Sequence, residues 1–324
     1  MDKKLVVIGG GTGTFPVLTG LKKYTSELVA VVTMMDSGGS SGRLRDEFGQ
    51  LPAGDLRQAL VALSKDTSVL RELFNYRYSK GEGLEGHSFG NLFLTALAEV
   101  SGGMDQAVAV ASQILNVKGK VLPVTTDHAT LVAEYEDGSV VRGEGKIDEP
   151  EHDGKIAIKQ LSLDPLAKVF PPTAEAIEQA DAIILGPGDI FTSLIPNLLV
   201  AGAAEAICGS SAKKIFVMNL MTKYGQTFGW TATKFVAEIE RYLDKPCLDF
   251  VLINNQELPE EILQRYKQEG DEPVKDDLED DGYKIIRTDL LASSPVQKTA
   301  GDSLKRSLIR HDTEKIASAI MEII

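Results

Sequence analysis

The feature that most constrains this chain is a short apolar run that stops on glycine: Leu5-Val-Val-Ile8, followed by Gly9-Gly-Gly-Thr-Gly13. A continuous β-branched run without polar alternation suits a strand covered on both faces, as in a parallel sheet with helices above and below. Thr14 is placed to cap a following helix, Pro16 is tolerated in its first turn, and Phe15, Leu18 and Leu21 supply its apolar stripe. Leu28 to Met35 repeats the strand pattern, so the chain opens as a β-α-β unit.

The same alternation recurs. Leu56, Ala59, Leu60 and Leu63 fall at helical spacing behind Asp55, and Phe89, Leu92, Phe93, Ala96, Leu97 and Val100 do so behind Ser88. Strands are expected at 182–185, 215–218, 250–253 and 283–286, with helices from Thr173, near Asn197, from Thr233, over 259–267 and at the C-terminus. Between about 121 and 163 the texture changes to short alternating runs with turn signals, which predicts an antiparallel β insertion. The fold class is therefore α/β: one Rossmann-like, doubly wound domain over 1–324, mostly parallel, with helices on both faces. EGDEPVKDDLEDDG reads as an exposed acidic loop.

The formal net charge of -13 argues against broad nucleic-acid or anionic-membrane binding, which needs a cationic footprint. The run after Met1-Asp-Lys-Lys4 is too short for a signal sequence, and no later segment approaches a membrane span, so the expected location is the cytoplasm. Cys208 and Cys247 are far apart and outside any CxxC or Cys/His cluster, and two reduced thiols are expected. The four histidines show no metal-binding spacing, and no GxSxG elbow supports a serine triad, so no metal is assigned.

Polar chemistry collects after the strands. GGGTG follows the first, MDSGGSSGR the second, GPGD the one at 182–185, NLMTKYGQT the one near 218, and NNQE the one near 253. In a parallel sheet these loops emerge from one carboxyl edge, where ligands of open α/β folds bind. The first loop is neither a dinucleotide fingerprint, since Pro16 stands where the last glycine belongs, nor a P-loop. Glycines still permit close backbone approach, and amides at a helix N-terminus attract phosphate; a structural tight turn is the competing reading. Gly10, Gly11, Thr12 and Gly13 are the candidates there. Asp36 suits a ribose hydroxyl, a metal or a loop cap, while Ser37, Gly38, Gly39, Ser40, Ser41 and Arg43 resemble a cradle for anionic oxygens. Gly186, Gly188 and Asn197 form the next candidate, with a plain turn and a helix cap as alternatives. Asn219 and Thr222 could read a base or sugar, and Arg310 with His311 precedes a helix N-terminus as a local anion site.

The collinear set GGGTG, MMDSGGSSGRLRDEFGQLPAGDLRQAL, GHSFGNLFLTAL, KVLPVT, LGPGDIFTSLIPNLLV, MNLMTKYGQT and RHDTEKIA resembles the gluconeogenesis-factor family of CofD/YvcK type, relatives of 2-phospho-L-lactate transferase, over essentially the whole chain. The resemblance implies a cytoplasmic Rossmann-like protein that binds UDP-sugars, notably UDP-N-acetylglucosamine, and serves gluconeogenic growth, cell shape and peptidoglycan synthesis. It implies that Thr12 and Asn197 contact the nucleotide sugar and that Tyr266 and Arg310 approach the uracil; spacing alone gives no reason to select Tyr266. Two departures favour binding over catalysis: Asp36-Ser37 stands where many relatives have paired acids, and Gln226 where they often carry glutamate.

The expected function is a nucleotide-sugar-binding regulator. The alternative is a transferase moving a phosphate-linked group, with Asp36, Asp55 and His87 as catalytic candidates and Mg2+ as its cofactor; the regulatory reading implies none. The expected partner is a UDP-sugar or other nucleotide, and the reading admits a homo-oligomer and a regulatory protein partner that the residues do not identify. A dinucleotide-dependent oxidoreductase fits the fold but lacks the fingerprint.

Overall fold

The structure is a computed structural model that describes residues 2–65, 69–280, 282–293 and 308–324. The chain opens with β1 (Leu5–Gly9), α1 (Gly11–Leu21), β2 (Leu28–Val32), α2 (Gly39–Phe48), α3 (Gly54–Leu63), α4 (Val69–Asn75), α5 (Phe89–Ser101) and α6 (Met104–Ile114). Then come β3 (Lys120–Pro123), β4 (Thr130–Tyr135), β5 (Val140–Arg142), α7 (Glu144–Asp148), β6 (Ile158–Asp164), α8 (Pro171–Glu178) and β7 (Ala182–Leu185). A wide helical turn over Ile190–Leu194 leads into α9 (Ile195–Leu198), α10 (Ala203–Gly209), β8 (Lys213–Val217) and α11 (Ala232–Tyr242). The chain closes with β9 (Phe250–Asn254), α12 (Glu260–Glu269), β10 (Lys284–Thr288) and α13 (Thr313–Ile323).

Seven strands form one sheet in the order β10-β9-β8-β7-β1-β2-β3, with every neighbouring pair parallel. The central strands are buried on both faces because their side chains alternate between two separate cores. Val6, Ile8, Ile183, Leu185 and Phe216 join one, while Leu5, Val7, Ala182, Ile184 and Val217 join the other. Each of the Val, Leu, Ile and Phe side chains among them, removed from water, contributes about 1.5–3 kcal/mol. A three-stranded antiparallel sheet, β5-β4-β6, lies against the first core through Leu131, Ala133 and Tyr135. The expected insertion is thus present, but residues 121–123 belong to β3, which pairs in parallel with β2.

Several local expectations change. Helix α1 begins at Gly11, capped by Gly10, so Thr14 lies inside it and donates its hydroxyl back to the Gly10 carbonyl. Ser88 does cap α5, accepting from the Asn91 amide. The buried face of α5 runs through Gly90, Asn91, Leu94, Thr95 and Ala98, and Val100, assigned to the apolar stripe, is 85% exposed. The acidic stretch 269–282 is not merely a solvated loop: Asp277 accepts from the Thr233 amide at the start of α11, and Asp276 pairs with Arg287.

Cys208 and Cys247 correct the expectation of two reduced thiols. They form a disulfide with Cα atoms 5.6 Å apart. One precedes β8 and the other β9, and these strands are neighbours in parallel register. The segments that lead into them therefore start side by side, although 39 residues separate the cysteines in sequence. Among the described residues no helix is long and apolar enough to cross a membrane.

Candidate functional site

Strand order fixes where a ligand can enter. From β1 the chain proceeds outward through β2 and β3, then returns on the other side of β1 for β7, β8, β9 and β10. The direction of winding therefore reverses between β1 and β7, and the crevice at their carboxyl ends is the binding position of open α/β sheets. GGGTG leaves β1 there and GPGD leaves β7. The two turns touch: a Cβ added to Gly13 would run into the Pro187 carbonyl, so only glycine allows this approach.

A cavity of about 510 Å³ opens beside them, within the roughly 300–1,000 Å³ of small-molecule sites. Thr12 and Gly13 border it from the first turn of α1, whose amides have no acceptor within the helix. The Gly11 amide is taken by Asp55 Oδ1 at 2.8 Å, which leaves Thr12 and Gly13 as the first-turn donors at the cavity wall. Pro187, Gly188 and Asp189 border it from the β7 turn, and residues 219–224 from the turn after β8. Tyr266, Ile309, Arg310 and His311 border it on another side, and Asp148, Glu149 and Pro150 border it from the end of α7. The Tyr266 hydroxyl accepts from the amides of Leu308 and Ile309, which ties α12 to the segment that carries Arg310.

Of the expected site residues, the structure gathers Thr12, Gly13, Gly188, Asn219, Thr222, Tyr266 and Arg310 around this cavity. Asn219 donates to the Gly188 carbonyl at 2.7 Å, and Thr222 exchanges hydrogen bonds with the Glu272 backbone. Gly10 caps α1, and Gly186 packs against Thr14 and the end of β1. Asn197 does not border the cavity. It is 1% exposed and donates to the carbonyls of Ser193 and Leu194.

The second glycine-rich segment is occupied by its own fold. Helix α2 starts at Gly39, so Ser40 and Ser41 are buried helical residues rather than loop donors. Ser40 Oγ lies 3.0 Å from His87 Nδ1, and Ser41 accepts from Asn91 while holding Asp36. The Gly38 amide donates to Asp36 Oδ1, the Ser37 amide to Glu144 Oε2, and Arg43 to the Glu85 carbonyl. Ser37, Gly38, Gly39, Ser40, Ser41 and Arg43 are absent from the cavity wall, as are the catalytic candidates Asp36, Asp55 and His87.

Asp36 and Asp55 instead sit in an acidic cluster with Glu144, Asp148 and Asp189, and Asp148, Asp189 and Lys223 carry that cluster to the cavity wall. Burial, reinforced by the Asp36 charge, pushes Asp55 up to about 7. Burial also raises Asp36 and, with Asp36 and Asp148 nearby, holds Glu144 well above the usual range. Lys223 bridges Asp148 Oδ1 at 2.6 Å and Asp189 Oδ2 at 2.7 Å, and stays charged because both carboxylates outweigh its burial. Asp148 also accepts from Thr192 and from Gln226 Nε2 at 3.0 Å. A glutamate at 226 would face that carboxylate with a like charge, whereas the amide donates to it. Glu144 and Asp148 come from α7 in the insertion, where sequence pattern gave no pointer to the sheet edge; Lys223 sits in the turn already marked by Asn219 and Thr222. Among the described residues no group of three or more His, Cys, Asp or Glu is arranged to hold a metal ion.

Comparison with known proteins is consistent with this architecture. Residues 5–291 match the family described as 2-phospho-L-lactate transferase CofD. A curated protein of Thermotoga maritima is 44% identical over 321 residues, covering 99% of both chains. The gluconeogenesis factor of Bacillus subtilis is 39% identical over 327 residues, covering 99% of this chain and 98% of that one. A crystal structure of a Bacillus halodurans protein, 36% identical, superposes with a TM-score of 0.90 over 99% of this chain and 100% of its own.

Proposed function

Since the chain belongs to the 2-phospho-L-lactate transferase CofD family, we propose that it binds a nucleotide sugar resembling UDP-N-acetylglucosamine and acts as a regulator of gluconeogenic growth, cell shape and cell-wall synthesis. Family membership itself supports a regulatory or transferase-like role. The observation that carries the finer reading is the pairing within one cavity of first-turn helix amides, at Thr12 and Gly13, with the ring of Tyr266 and the guanidinium of Arg310. Amides at a helix N-terminus suit phosphate oxygens, and an aromatic face beside a guanidinium suits a planar base with carbonyl groups. Calorimetry with UDP-N-acetylglucosamine is the test. Saturable heat together with thermal stabilisation is expected, and neither at millimolar ligand would remove the reading.

The transferase reading is favoured by one observation. Asp55, raised to about 7, accepts from the Gly11 amide next to Thr12 and Gly13, and would supply a group able to exchange a proton near neutral pH close to a phosphate held by that turn. Nucleotide release from a UDP-sugar that Asp55→Asn abolishes, with binding retained, would establish it.

A further inference from the structure

The turn after β8 brings Asn219, Thr222 and Lys223 to the cavity wall, and they differ in what they leave for a ligand. Thr222 donates its hydroxyl to the Glu272 carbonyl at 3.1 Å and accepts from the Glu272 amide at 2.9 Å. Lys223 is held between the carboxylates of Asp148 and Asp189. Asn219 donates through Nδ2 to the Gly188 carbonyl at 2.7 Å, and its Oδ1 has no hydrogen-bond partner among the described residues.

That one bond fixes the direction of the amide. A backbone carbonyl only accepts, so the nitrogen faces Gly188 and the oxygen turns away from it. The mount is firm as well, because the Met218 amide bonds the Leu252 carbonyl at 2.9 Å and ties the preceding residue to the sheet. Asn219 is half-buried, and Oδ1 is not among the unpartnered side-chain atoms sealed from solvent, so a ligand can reach it. Asn219 also borders a smaller cavity of about 330 Å³ and stands where the two adjoin. Its position along the larger cavity is set by Gly188: a Cβ added there would lie 3.8 Å from the Gly13 Cα, in the turn whose amides face the diphosphate in the nucleotide-sugar reading. A bare carbonyl oxygen at that place is satisfied by a donor and disfavours a phosphate oxygen, which has no hydrogen to give.

We infer that Asn219 is a specificity-determining residue of this cavity, whose Oδ1 accepts a hydrogen bond from an uncharged donor on a sugar flanking the diphosphate, either a hydroxyl or an amide N–H. This rests on reading the cavity as a nucleotide-sugar site. It goes further by assigning the one polar group of the β8 turn that can read the ligand, and by requiring a donor from the sugar and not from the base.

The test titrates the wild-type chain by calorimetry with UDP-N-acetylglucosamine and with analogues that each lack one donor. These are the 2′-deoxy and 3′-deoxy ribose forms, the hexose forms without the acetamido group or the 3-hydroxyl, and the N3-methyluracil form. One of the four sugar analogues should bind about tenfold or more weakly than the parent. On Asn219→Leu that analogue and the parent should bind alike, while the other ratios persist, as a double-mutant cycle requires. Carbon-13 spectra supply a readout that needs no variant: the Asn219 Cγ resonance should move on saturation with the parent and stay in place with the critical analogue. An unmoved Cγ under saturating parent ligand overturns this inference while leaving the nucleotide-sugar reading intact. It is likewise overturned if every analogue loses the same factor on Asn219→Leu as on wild type, or if only the N3-methyluracil form is affected. Absence of any binding by wild type removes both together.

Discussion

Two glycine-rich segments leave adjacent parallel strands at the same edge of the sheet, and they meet opposite fates. GGGTG after β1 starts a helix at the switch point and keeps two first-turn amides at the cavity wall. SGGSSGR after β2 also starts a helix, yet its Gly38 and Ser37 amides, Ser40 hydroxyl and Arg43 are engaged by Asp36, Glu144, His87 and Glu85, and none of the segment borders the cavity. Both look alike as composition. What separates them is position: β1 has a partner strand on its far side from which the winding reverses, and β2 does not. A crevice forms beside the first loop, while α5 and α7 fill the space beside the second. Ligand-binding capacity is therefore a property of topology acting on a glycine-rich turn, and the turn alone does not carry it.

Glycines in the two segments give the largest contrast. A side chain at Gly13 would overlap the Pro187 carbonyl, which is backbone and cannot rotate away. Gly39 has φ +44 and nothing within 4 Å of an added Cβ, so its substitution meets only backbone strain. Gly13→Val should cost about 3 kcal/mol or more through overpacking and abolish nucleotide-sugar binding, against about 1 kcal/mol for Gly39→Ala. Urea unfolding of the two variants checks this. Equal losses would show that the contact between the β1 and β7 turns is not what makes the first loop special.

The same contrast explains how far the sequence could be read. Strand runs such as 5–8, 182–185 and 250–253 were legible because burial on both faces writes a continuous apolar string, and the alternation of strands with amphipathic helices then implies a parallel sheet. Thr12, Gly13, Gly188 and Asn219 were reachable because parallel strands put their following loops on one edge. Strand order was not, since nothing local states that β7 returns beside β1. That missing order hid the difference between Thr12 and Ser40, and the pairing of Cys208 with Cys247 as well. Asp148 and Glu144 were hidden for another reason: they come from an antiparallel insertion whose docking on the sheet edge has no periodic signature. Tyr266 was reachable only through resemblance, because a ring packed under a distant segment at 308–309 looks, in sequence, like any helix residue.

A pH comparison sharpens the account at intermediate size, because Asp55 joins the two segments. It bonds the Gly11 amide and sits against Asp36. Its folded value, about 7, lies above the ordinary 3.8, so the folded chain binds its proton more tightly than the unfolded chain does. The stability this contributes is fully present below the ordinary value and is lost as pH rises through about 7. Asp55 is half-buried, so solvent screening reduces the effect to on the order of 1–2 kcal/mol. Asp55→Asn keeps the Oδ1 acceptor and removes the titration. Its unfolding free energy should change less than that of wild type between pH 5 and pH 8, and parallel curves for the two proteins would show that Asp55 carries no such proton.

The smallest effect isolates the second segment from the ligand. Ser40 is 4% exposed and lies 3.0 Å from the Nδ1 of His87, itself buried and therefore held below the ordinary imidazole value. Ser40→Ala removes one hydrogen bond in that pair and should cost about 1 kcal/mol of stability. Affinity for UDP-N-acetylglucosamine, measured by calorimetry, should stay within about twofold, because the hydroxyl faces His87 and is remote from the cavity wall. A tenfold loss would place the SGGSSGR segment within reach of the ligand after all. The two glycine-rich turns would then act as one cradle, and strand order would no longer be the factor that divides them.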